Sequence, residues 1–102
     1  MEPKHIDDLI AVNEFSVHHN IEISFINLLQ QKGLIEISTI ESKYFVEKEQ
    51  LPQLEKFVRF YYDLDINLEG IETITYLLQR IEILQNEIIK LKNRLRFFEK
   101  RG

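Results

Sequence analysis

The apolar positions of the 102-residue chain fall into three short helical stretches, one β-rich segment and one long terminal helix. After Asp7-Asp8 and the apolar run Leu9-Ile10-Ala11-Val12, Asn13 opens NEFSVHHN as the N-cap of a first helix, which Asn20 closes. Ile23, Phe25, Ile26, Leu28 and Leu29 predict a second helix from Glu22 to Lys32, with Gly33 as its C-terminal stop. Two short helices joined by a tight turn form a helix-turn-helix candidate. The runs LIEIS and KYFV, separated by Thr39-Ile40-Glu41-Ser42, are β-branched or aromatic and suit a two-stranded wing. In EKEQLPQLEKFVRFYYD, Leu51, Leu54, Phe57, Val58 and Tyr61 share one helical face, and Pro52 is tolerated because it lies near the first turn. The loop DLDI then leads to Asn67, which caps a fourth helix starting at Leu68.

That last helix is the longest feature. From Ile74 onward, apolar residues occur at 74, 77, 81, 84, 88, 91, 95 and 98, an alternation of threes and fours that marks a coiled-coil seam. Ile71, Leu78, Ile83 and Ile89 widen the stripe, so its first half is expected to pack on the body as well. Leaving the far half in water would forfeit about 1.5–3 kcal/mol per large apolar side chain, which favours a dimer built on Ile81, Leu84, Ile88, Leu91, Leu95 and Phe98. A parallel pairing sets Glu87 against Lys92 and Arg94 against Glu99, while some antiparallel registers bring Arg80 near Glu87, so charge leaves the direction open. The expected architecture is mainly α: a winged helix-turn-helix body over 1–66 and a long C-terminal coiled-coil helix over 67–102.

Composition narrows the chemistry. The absence of cysteine excludes a disulfide framework, thiol catalysis and cysteine-based zinc sites. No apolar run reaches the length of a membrane span and the start resembles no signal peptide, so a cytoplasmic location is expected. Charge is divided: residues 1–79 hold 14 acidic and 6 basic side chains, residues 80–102 hold 3 acidic and 7 basic. Within residues 8–38 there are four acidic side chains and one basic, Lys32, which is the wrong sign for a phosphate backbone. Asn27, Gln30 and Gln31 have the amides that touch base edges, but the charge disfavours DNA.

Three weaker candidates are set aside. His18 and His19 are adjacent and point about 100° apart on a helix, and only His5 remains as a third imidazole, so a metal site is incomplete. Asp63-x-Asp65-x-Asn67 imitates a calcium loop, yet Leu68 and Ile74 stand where that loop needs Gly and a carboxylate. No nucleophile elbow, glycine-rich phosphate loop or HExxH pattern occurs, so neither an enzyme nor a cofactor is expected.

The order of helix-turn-helix, wing, third helix and long terminal helix resembles the MerR-type winged-helix domain, whose members usually dimerise through antiparallel terminal helices and bind promoter DNA. A closer resemblance is to the CbpM family of chaperone modulators. It is carried by LIAVNEFSVHHNIEISFINLLQQKGLIEI, by FVEKEQLPQLEKFVRFYYDLDINLEGIE, by the Gly70-Ile71 pair opening the last helix, and by the seam ending KLKNRLRFF. The chain departs from that family's pattern at Leu68-Glu69 and in its wing. The resemblance implies binding to the J-domain of a DnaJ-like co-chaperone and inhibition of its stimulation of a DnaK-type chaperone. Such J-domains present a helix rich in Lys and Arg, which an acidic face would attract. The expected contact residues are Glu14, Glu22, Glu36 and Glu41, with Asp63 and Asp65 as a second patch. The alternative is a MerR-family DNA-binding transcriptional regulator touching DNA through the wing, Lys43 and the basic terminal helix.

Overall fold

The computed structural model describes residues 6–101, which leaves His5 outside. A 3-10 turn, Ile6–Asp8, leads into β1 (Leu9–Ala11), α1 (Val12–His19), α2 (Ile23–Gln31), β2 (Ser38–Ile40) and β3 (Lys43–Glu47). A second 3-10 turn, Lys48–Gln50, opens α3 (Leu51–Val58), a π-helical turn spans Arg59–Asp63, and α4 runs from Leu68 to Arg101. The expected architecture is therefore present: mainly α, with a helix-turn-helix, a small wing and a long terminal helix.

The ends of α1 and α2 follow from local chemistry. Asn20 adopts the left-handed conformation (φ 54°, ψ 50°), and the Ile21 N–H turns back to the Ser16 carbonyl at 2.9 Å. Gly33 has φ 74°, and the Leu34 N–H reaches the Leu29 carbonyl at 3.0 Å, so orphan carbonyls at both helix ends are satisfied. Asn13 is not the cap of α1. The extended backbone of β1 runs directly into the helix, Ala11 takes the cap position without a side-chain bond, and the Asn13 carbonyl accepts from Ser16 Oγ at 2.9 Å.

Among the described residues the sheet has three strands, in the order β1-β3-β2. Leu9, Ile10 and Ala11 pair antiparallel with Glu47, Val46 and Phe45, a strand beyond the expected two. β2 and β3 form the wing, closed by Ile40 opposite Lys43. Between them Glu41 and Ser42 both have positive φ, 48° and 66°, as a two-residue turn matching the twist of the flanking strands requires. Of LIEIS only Ser38 enters a strand. Ile35 drops into the core, and Gln50 grips the backbone of Glu36: its Oε1 accepts the Glu36 N–H at 2.8 Å and its Nε2 donates to the Glu36 carbonyl at 2.9 Å.

One core gathers side chains from most of the body elements, including Val12 and Phe15 of α1, Phe25, Ile26 and Leu29 of α2, Val46 of β3, and Leu54 and Phe57 of α3. At about 1.5–3 kcal/mol for each large side chain, this burial is the main force opposing chain entropy. Ile71, in the first turn of α4, is fully buried. Asn67 Oδ1 caps that turn by accepting the Gly70 N–H at 2.8 Å. The chain divides into two compact units, Met1–Ile71 and Glu72–Gly102, so the helix start belongs with the body. In the second unit, Ile81, Leu84, Ile88, Leu91, Leu95 and Phe98 follow one another along α4, each about half or more exposed.

Candidate interaction surface

The helix-turn-helix is held from behind by aromatic packing. Within the π-helical turn Tyr61 and Tyr62 are consecutive, and both reach Phe25 at the start of α2. Tyr61 stacks on it at 4.4 Å between ring centroids, and Tyr62 meets it edge-on at 5.4 Å. The Tyr62 hydroxyl accepts the Glu22 N–H at 3.1 Å, satisfying a backbone donor at the cap position of α2, whose own side chain makes no cap bond to the helix. Glu22 therefore sits beside the segment bearing Asp63 and Asp65, and its Oε2 accepts from Ser24 Oγ at 3.1 Å.

All six acidic residues singled out from the sequence are exposed. Glu14 lies in the first turn of α1, Glu22 at the cap of α2, Glu36 in the loop gripped by Gln50, and Glu41 at the wing tip. Asp63 ends the π-helical turn, and Asp65 follows with φ 54°. Lys32 at the end of α2 has its Nζ 3.9 Å from Glu69 Oε1, an exposed pair of small energetic weight. The outward side of α2 presents Asn27, Gln30 and Gln31, all exposed.

Two grooves flank α1. The larger, of about 780 Å³, runs between α1 and α3. Its apolar lining is Ile10, Phe15, Val17 and Leu51, and the exposed Glu14 of α1 and Glu55 of α3 border it. Asn13, His18 and His19 complete the lining: His19 packs on Phe15 at 4.1 Å, and the exposed His18 stands edge-on to His19 at 4.9 Å. The second groove, of about 550 Å³, separates the start of α1 from the wing and places Glu14 and Ile23 in one lining with Lys43 and Tyr44. Glu14 thus borders both grooves.

Sequence reasoning missed Val17, Glu55 and Tyr62. Val17 reads as one more apolar helix residue but is 81% exposed. Glu55 is one of 17 carboxylates until α3 brings it to the groove. Tyr62 lies 40 residues from the backbone group it satisfies. Among the described residues no three His, Asp or Glu side chains converge to hold a metal ion, and no helix is long and apolar enough to cross a membrane.

No curated protein and no solved structure matches the chain. The family model described as MerR HTH family regulatory protein matches residues 10–93, from β1 through most of α4. With its helix-turn-helix, its wing and its terminal helix inside that match, the chain belongs to the MerR HTH family of regulatory proteins.

Proposed function

We propose that this protein is a chaperone modulator that regulates by occupancy, without catalysis: its body binds the J-domain of a DnaJ-like co-chaperone and keeps it from stimulating a DnaK-type chaperone. The observation that carries this reading is the sign of the helix-turn-helix surface. Over residues 8–38 four carboxylates accompany one cationic side chain, Lys32, which lies beside Glu69. A DNA reader of this shape needs cations for phosphate contacts, whereas a partner helix rich in Lys and Arg needs carboxylates. The resemblance of the HTH, DLDINLEGIE and terminal segments to CbpM-type modulators points the same way. Residues 1–66 meet the partner in this reading, through Glu14, Glu22, Glu36 and Glu41 with Asp63 and Asp65. Residues 67–102 join two copies through the seam of α4, and the protein works in the cytoplasm.

The test is a chaperone ATPase assay with a purified J-domain as stimulator. Added protein should lower the stimulated rate toward the unstimulated one in proportion to occupancy. Unchanged stimulation, with the J-domain far below saturation and this protein in excess, would refute the reading.

One observation favours a second reading, a MerR-type transcription regulator: α2 keeps Asn27, Gln30 and Gln31 exposed, and the tail from residue 80 is basic. This alternative requires a salt-sensitive mobility shift of promoter DNA at submicromolar protein. The modulator gives none at physiological salt.

A further inference from the structure

Building on the modulator reading, we infer that the groove between α1 and α3 is the seat for the partner's helix, and that it selects an amphipathic helix whose apolar ridge is flanked by Lys or Arg on both sides. Val17 is 81% exposed, yet it borders Ile10, Phe15 and Leu51 in one largely apolar cleft of about 780 Å³. A cleft of that size buries the ridge of one docked helix, the mode in which a few apolar side chains at helical spacing supply the affinity. The walls decide the sign. Glu14 rises from α1 on one side and Glu55 from α3 on the other, and among the described residues no Lys or Arg lines the groove. A helix with cations on both flanks meets opposite charge at both rims, while an acidic helix meets like charge twice. The wing-side groove lacks this uniformity because Lys43 shares it with Glu14.

The test uses the full chain, its Val17→Arg variant and the Glu14→Gln/Glu55→Gln double variant. Each is titrated with a purified J-domain and, separately, with a synthetic amphipathic helix bearing a leucine ridge between two rows of lysine. All three changes lie on exposed side chains, so thermal melting should show native midpoints. Val17→Arg should weaken binding of both probes by about tenfold or more, the loss expected for a central apolar anchor. The double variant should bind more slowly and with a flatter salt dependence. J-domain binding that survives Val17→Arg unchanged overturns the groove assignment and leaves the chaperone reading standing. Capture of the synthetic helix by the native chain but not by Val17→Arg, with the J-domain ignored, sinks the chaperone reading and keeps the groove. If the native chain binds neither probe, both fall.

Discussion

A Cβ on Gly70 would stand 2.7 Å from Cγ2 of Ile66, so these two residues meet where not even a methyl group fits. The same Cβ would lie 3.1 Å from the Asn67 oxygen that caps the helix. Ile66 has little freedom to withdraw, because it packs against the core and its N–H is bonded to the Phe60 carbonyl at 2.8 Å. Gly70→Ala should therefore destabilise the protein. The overpacking penalty of about 1–3 kcal/mol exceeds the gain of about 1 kcal/mol that alanine normally brings to a helix. Urea denaturation decides the matter, and a raised midpoint would contradict it.

Asn67→Ala removes the acceptor of the Gly70 N–H and should cost about 0.5–2 kcal/mol. Asn67→Asp retains a cap oxygen and adds a negative charge favourable at a helix N-terminus, so its stability should stay near the native value. Equal losses in the two variants would show that the cap contributes nothing.

Gln50→Ala frees both backbone groups of Glu36. The expected signature is faster hydrogen exchange of the Glu36 amide, with a global loss of about 1–3 kcal/mol for two hydrogen bonds of ordinary net strength. Native-state exchange followed by NMR reads both quantities at once. Unaltered protection at Glu36 would mean that the loop is held by Ile35 alone.

Reversal of Glu14, Glu22 and Glu36 to Lys together should slow association with a J-domain several-fold and lessen its dependence on ionic strength. All three side chains are exposed, so the fold should tolerate the change. Stopped-flow binding at two salt concentrations provides the measurement, and unchanged kinetics would reject this surface.

Ile88→Lys and Leu91→Lys together place two charges within the seam of α4. Sedimentation should show a shift from dimer to monomer, since a buried unpaired charge forfeits several kcal/mol. The body core lies in the other unit, and near-UV circular dichroism from its buried aromatics should be unaffected. A native sedimentation profile in the double variant would remove the seam as a dimer interface.

What the sequence disclosed was what neighbouring residues decide among themselves. Gly33 ends α2, Asn67 caps α4 and Asn20 turns the chain because each acts within a few residues of itself. β1 was invisible because three residues carry no measurable alternation, and its partners at 45–47 lie far along the chain. The same three residues explain the mistaken cap at Asn13, since only a strand running into α1 places Ala11 at the helix start. Likewise, the acidic residues could be named from composition, but the groove could not. Its apolar lining joins Ile10, Val17 and Leu51, and its second carboxylate, Glu55, comes from a helix whose placement depends on the whole core.

The outer strands of the sheet, β1 and β2, are three residues each, against five in the central β3. A stray extended chain that lined up along either margin would find too few rungs to stay, which protects the molecule from the amyloid-like accretion that longer bare margins invite.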